Sequence, residues 1–377
     1  MQFTKEMLSS FPEIYQEQLD LLVELAQIPA PSNHEEKRAE FCKAWLEKQG
    51  AQGVYIDEVN NVIYPVGCTE SNDLLVISAH SDVVFPDTEP LPLQMEDGLI
   101  HCPGVGDDTS NVSALLMAAK YLTQQQMSPK DCGLLIVINA AEEGLGNLRG
   151  TRKLFETFGN RIREFIALDA ATPKAVNRAV GSRRFLIEVK TEGGHSYNNF
   201  GRPNAIAVLA SLIDELYKVQ VPELGKTTYN VGTISGGTSV NTIAQHAQML
   251  YEFRSDEPEA LEIMQRHMDL ALEKCQREDA VLCVTPVGDR PCGIAIEPSR
   301  MEKLMDRAQQ AAMRQYGQQL LCCSASTDCN IPLSLGIPAI CVGCVRGKGA
   351  HTREEYIEIS SLQDGLNFLL DLMLQYF

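Results

Sequence analysis

Residues 74–79, 134–140, 165–168 and 339–343 are four largely apolar runs without alternation, the pattern of strands buried on both faces of a sheet. Residues 35–48, 111–125 and 299–316 instead repeat their apolar positions at intervals of three and four, the helical period. Strands alternating with helices predict a layered α/β domain. Residues 184–285 read differently. A strand over 185–190, a helix over 204–218, strands over 227–234 and 248–254, a helix over 258–278 and a strand over 280–285 give the order β-α-β-β-α-β of a ferredoxin-like α+β sandwich. Because one apolar strand still follows, the simplest topology inserts this small domain into the larger one. The predicted division is 1–183 with 286–377, interrupted by 184–285.

Each apolar run is followed by side chains that can hold a metal: His80, the pair Glu142 and Glu143, Asp169, and, past a glycine-rich turn, His351. Sites in open α/β sheets form beyond the carboxyl ends of the strands, so four distant segments are expected to meet in one crevice. In His80-Ser81-Asp82 the carboxylate stands two residues from the histidine, where it can fix the tautomer of a ligating imidazole or support the site from nearby. Gly104-Val105-Gly106-Asp107-Asp108-Thr109-Ser110-Asn111 reads as a turn entering a helix, and an aspartate there either bridges two cations or caps the helix. Adjacent carboxylates in Ala141-Glu142-Glu143-Gly144, at the end of a buried strand, are costly unless they meet positive charge. On an extended chain they point opposite ways, so one can ligate while the other faces a water.

Taken singly, each of these acids reads equally well as a solvated strand end; four such placements together do not. Two histidines and three carboxylates suit zinc, and less tightly cobalt or manganese. Five ligands are too many for one catalytic zinc that keeps an open position. Two ions about 3.5–4 Å apart, sharing a carboxylate and a water, would use them all.

Composition narrows the setting. A chain of 377 residues with 44% hydrophobic and 22% charged positions is globular and long enough for two to three domains. A formal charge of -18 opposes binding to nucleic acid or an anionic membrane. No apolar run is long enough to cross a bilayer, and residues 1–20 lack the basic start and apolar stretch of a signal peptide. Twelve scattered cysteines read as reduced thiols of a cytoplasmic protein, with Cys341 and Cys344 as buried core thiols.

In this order and spacing the motifs resemble the M20 family of metallopeptidases and deacylases, which includes peptidase T, the glutamate-releasing carboxypeptidases and the succinyl-diaminopimelate desuccinylases. The resemblance runs from Ile28-Pro29-Ala30-Pro31-Ser32 and Glu35-Glu36, through His80-Ser81-Asp82, Gly106-Asp107-Asp108, Ala141-Glu142-Glu143-Gly144 and Leu168-Asp169-Ala170. It closes on Ser326-Thr327-Asp328, Gly336-Ile337-Pro338 and Gly349-Ala350-His351-Thr352.

The resemblance implies a zinc-exopeptidase-type catalytic domain carrying an inserted lid and dimerisation domain, a homodimer, and two zinc ions, with cobalt or manganese as substitutes. It implies that Asp107 bridges the ions, that His80 and Asp169 complete one shell, and that Glu143 and His351 complete the other. Glu142 would be the general base, with Asp82 supporting the site. His195, in Gly193-Gly194-His195-Ser196, matches a histidine that reaches the oxyanion from the other subunit, and Asn241 and Arg254 match lid positions that contact substrate. Arg254 reads equally as a salt-bridge partner. The chain departs from the family where Asp107 is usually followed by a lysine-and-glycine motif and here by Asp108-Thr109-Ser110-Asn111.

The expected function is aminopeptidase action on di- and tripeptides. An N-acyl amino-acid deacylase of the acetylornithine deacetylase or desuccinylase kind would use the same site with another pocket. A catalytically inactive dimeric scaffold is the reading from a different class, and the presence of all five ligands and Glu142 speaks against it.

Overall fold

A computed structural model describes residues 1–70, 73–169 and 171–377, and divides the chain into two units: 1–179 with 294–377, and 180–293. Ala170, which closes the Leu168-Asp169-Ala170 motif, lies outside the described residues.

The first unit is built on a mixed eight-stranded sheet. At its centre four strands run parallel in the spatial order Gly133–Asn139, Leu74–His80, Ile162–Leu168 and Ala339–Val342. The Val62–Val66 strand pairs antiparallel on one side, and the Lys174–Ala179 strand antiparallel on the other. The unbroken apolar runs have a direct cause, because alternate residues of every central strand enter different cores. Leu75, Ile77, Leu134, Ile136, Ile166 and Ile340 pack with the helices Ser110–Gln124 and Ser360–Leu374. Val76, Leu135, Val137, Phe165 and Cys341 pack on the opposite face with Leu154, Phe155 and Ile331. Both faces are covered, as parallel sheets require.

Register then positions the chemistry. His80 lies opposite Asn139, Ala79 opposite Leu168, and Leu168 opposite Val342, so the carboxyl ends of all four strands are level. A second small sheet, of the short strands Gln94–Glu96, Leu99–His101, Gly347–Lys348 and Tyr356–Glu358, ties the segment after the last central strand to the segment before Gly104.

The second unit is a four-stranded antiparallel sheet in the order Thr227–Gly236, His246–Ser255, Gly181–Thr191, Ala280–Arg290, with the helices Ala205–Leu216 and Pro258–Cys275 packed into one core with it. In chain order this is β-α-β-β-α-β, the ferredoxin-like arrangement. The His246–Ser255 strand alternates buried and half-buried residues along its whole length, as a sheet covered on one face should. Asn204 starts the first helix by accepting the Ile206 and Ala207 N–H groups, and Pro258 starts the second at a position where its missing N–H costs nothing. Among the described residues no helix is long and apolar enough to cross a membrane.

Candidate metal centre

The level strand ends bring the predicted ligands together. His80 is the last residue of its strand and is buried. It donates from Nδ1 to the Asp82 carbonyl oxygen at 3.0 Å, with the Asp82 carboxylate 3.5 Å away. That contact fixes the ring and turns Nε2 toward Asp107 Oδ1, at 3.0 Å. The other oxygen of Asp107, Oδ2, lies 3.1 Å from His351 Nε2, and the same nitrogen is 2.9 Å from Glu143 Oε1. One carboxylate therefore faces an imidazole on each of its two oxygens. Ligand atoms of His80, Asp107 and Glu143 all lie within 4.8 Å of one another, as do those of His80, Asp108 and Asp169.

Asp82 is a hub beneath this arrangement. It is fully buried, accepts the Glu142 N–H on Oδ1 at 3.0 Å and the Glu143 N–H on Oδ2 at 2.9 Å, and takes the Ser32 hydroxyl at 2.6 Å. One aspartate thus holds the His80 ring and the backbone of both glutamates. Glu142 and Glu143 do not extend the strand, contrary to the expectation that they alternate along it. The strand ends at Asn139, and Ala141 takes a left-handed φ of +56°, a conformation that L side chains rarely adopt. The turn is held by the buried Glu35, whose Oε1 accepts the Ala141 N–H at 3.1 Å, and by Asn61, whose Oδ1 accepts the Ala140 N–H at 3.0 Å. It delivers Glu142 and Glu143, both buried, to the site.

The 104–107 turn likewise departs from a simple helix entry. Asp108 does not cap the following helix; its Oδ2 accepts the His80 N–H at 2.9 Å and its Oδ1 the Asn111 side chain at 2.6 Å. Charge explains the titration of the cluster. Burial would lower His80, but Asp108, Asp107 and Asp82 outweigh it and hold the imidazole well above its usual range. Hydrogen bonds to Asp107 and Glu143 push His351 up to about 11. Burial opposes ionisation of Asp107, yet His351 and His80 carry it well below the usual carboxylate range. Burial and the neighbouring Asp169 and Asp107 drive Asp108 well above it.

Five carboxylates, of Asp82, Asp107, Asp108, Glu143 and Asp169, thus gather on two imidazoles. Oxygen and imidazole nitrogen are donors for hard or borderline divalent cations, and such cations would balance the surplus negative charge. The donor set therefore fits a metal centre.

Of the remaining predicted residues, His195 and Asn241 meet in the second unit. The Gly194–His195 strand pairs with Thr242–Ile243, and the Asn241 carbonyl accepts the Ser196 N–H at 3.0 Å. His195 is exposed, and its Nδ1 accepts the Tyr197 and Asn198 N–H groups at 3.2 and 3.4 Å. Its proton then belongs on Nε2, which becomes a donor. Arg254 grips Glu252 with Nε at 2.9 Å and Nη2 at 3.0 Å.

Asp108 and Glu355 are the site residues that sequence reasoning leaves unnamed as participants. Asp108 carried a signal in the adjacent acids of its turn. Glu355, in Arg353-Glu354-Glu355, reads as part of a solvated charge run, and only the fold shows it 2% exposed against the 104–107 turn.

Level strand ends, a carboxylate facing two imidazoles and an acid-rich donor set define a candidate metal centre. The description "Peptidase family M20/M25/M40" matches residues 76–375, which include every predicted ligand, and the chain belongs to that family of peptidases and amidohydrolases. It is 24% identical over 374 residues to a putative succinyl-diaminopimelate desuccinylase of Mycobacterium tuberculosis, covering 93% of this chain and 96% of that protein. Among solved structures, a tripeptidase from Staphylococcus aureus superposes with a TM-score of 0.77 at 24% identity, covering 96% of this chain and 98% of that one. The YXEP protein of Bacillus subtilis, described as a dinuclear metal-binding peptidase of family M20, superposes with a TM-score of 0.65 at 17% identity, covering 95% and 97% of the two chains.

Proposed function

We propose that the protein is a di-zinc aminopeptidase of di- and tripeptides, with cobalt or manganese able to replace zinc. The observation that carries this reading is the Asp107 carboxylate, which meets His80 on one oxygen and His351 on the other. Asp107 would be shared between two cations, one also held by His80 and Asp169, the other by Glu143 and His351. Bound there, the cations would supply Lewis-acid polarisation of the scissile carbonyl and make water a better nucleophile near neutral pH.

The chain's own groups do the rest. Glu142, held through its N–H by Asp82, takes the proton of the attacking water on its carboxylate and returns it to the leaving nitrogen. His195 donates from Nε2 to the developing oxyanion, which its Nδ1 contacts favour. Asn241 orients the substrate beside it, and Arg254 pairs with a substrate carboxylate by giving up Glu252. The 180–293 unit acts as lid and dimerisation domain. The exposed Thr227–Gly236 edge strand suits a second copy of the chain, which in the homodimer brings His195 to its partner's site. A cytosolic location accords with twelve unpaired thiols.

Likeness to the S. aureus tripeptidase supports peptides as substrates, and likeness to the desuccinylase supports N-acyl amino acids as the second reading. Zinc-loaded protein assayed on tripeptides with free amino termini, beside acetylated and succinylated amino acids, separates them. Tripeptide turnover is expected. Turnover of acylated amino acids alone would make it a deacylase, and failure to bind metal at all would favour the scaffold.

A further inference from the structure

Two of the proposed ligands come from segments far apart in sequence: Asp107 from the 104–107 turn and His351 from the 349–355 loop. A single buried side chain joins them. Glu355 Oε2 accepts the Gly104 N–H at 2.6 Å, and Oε1 accepts the Gly106 and Asp107 N–H groups, each at 2.8 Å. Its own carbonyl accepts the Cys102 N–H at 3.1 Å, so side chain and backbone both grip the segment that leads to Asp107. A carboxylate buried this deeply is stabilised only if such donors surround it.

The glycines of the turn report the same closeness. Gly106 has an ordinary backbone, but a Cβ there would stand 2.9 Å from Glu355 Oε1 and 3.2 Å from Ile357 Cγ2. On the other side, a Cβ added to Gly349, whose φ is +83°, would stand 3.1 Å from the Glu355 Cα, and His351 itself holds φ +66°. Satisfying a turn would not require the acceptor to come from the loop that carries His351. Glu355 lies four residues beyond that histidine and binds the N–H of the aspartate that His351 touches.

We propose that Glu355 is a positioning residue, which fixes Asp107 and His351 relative to one another so that their cation-binding atoms are preset. The proposal rests on the reading of the centre as a cation site.

Calorimetric titration of metal-free protein with zinc tests it, using wild type, Glu355→Gln, and the exposed neighbour variant Glu354→Gln, with the melting temperature of each metal-free protein alongside. Zinc affinity is expected to fall about 10- to 100-fold in Glu355→Gln. It should stay at the wild-type level in Glu354→Gln, and metal-free Glu355→Gln should melt close to wild type. Gly106→Ala, whose added carbon meets Oε1, should reproduce the loss and carries the test if Glu355→Gln fails to fold. Unchanged zinc affinity in a folded Glu355→Gln or Gly106→Ala protein overturns the proposal alone. A wild type that takes up no zinc overturns it together with the cation-site reading.

Discussion

The two sheets of this protein solve the placement of polar chemistry in opposite ways. In the first unit the four central strands are buried on both faces over the halves that lead to the site, so the acids and histidines of the site sit where the strands stop, and the stops are level with one another. Acids placed there are crowded and desolvated, and their proton affinities move far from the usual values in both directions. In the second unit the sheet packs both helices into one hydrophobic cluster, and short-range hydrogen bonds set its candidate residues, the Tyr197 and Asn198 N–H groups on Nδ1 of the exposed His195 and Glu252 on the half-buried Arg254 of the His246–Ser255 strand. Strand ends and burial suit a unit that holds cations. Exposed, locally fixed donors suit a unit that handles substrate.

This contrast can be broken by four changes. Glu142→Gln should lower kcat by about 10²- to 10⁴-fold while metal content, measured by emission spectrometry, stays at the wild-type value. His195→Ala should lower kcat by about 10²- to 10³-fold, again without loss of metal, if the proposed role of His195 as an oxyanion donor holds. A drop in bound metal in either variant would move that residue into the ligand set. Asp82→Asn leaves one of the Glu142 and Glu143 N–H groups facing an amide and should weaken zinc binding about 10- to 100-fold in a competition titration with a chelator. Asn204→Ala removes the helix cap in the second unit and should cost about 1 kcal/mol of stability in denaturant unfolding, with zinc affinity unaltered.

Where a pattern is long and repetitive, the chain announces its structure. The run at 74–79 and the segment 248–254 lie within strands, and the run at 134–140 overshoots its strand only by Ala140, because burial on two faces or one leaves a direct trace in residue choice. Four of the five candidate ligands, His80, Glu143, Asp169 and His351, stand out for the same reason, following an apolar run, whereas Asp107 stands in a glycine-rich turn. What escaped has a physical cause too. The reversal at Ala141 needs left-handed backbone at a residue that rarely adopts it, and its support comes from Glu35 and Asn61, some 106 and 79 positions away. The small sheet that closes the site is built from strands of two and three residues, too short to show a period. Glu355 looks like any surface acid until distant backbone N–H groups are brought to it.

On the proposed function, Asp107 is shared by two cations. Crystals of the wild-type protein grown with zinc, with anomalous data collected above and below the zinc edge, test it most directly. Two peaks about 3.5–4 Å apart, one beside each Asp107 oxygen with His80 on one and His351 on the other, are the predicted result. A single peak away from Asp107, or none at full zinc loading, would contradict it.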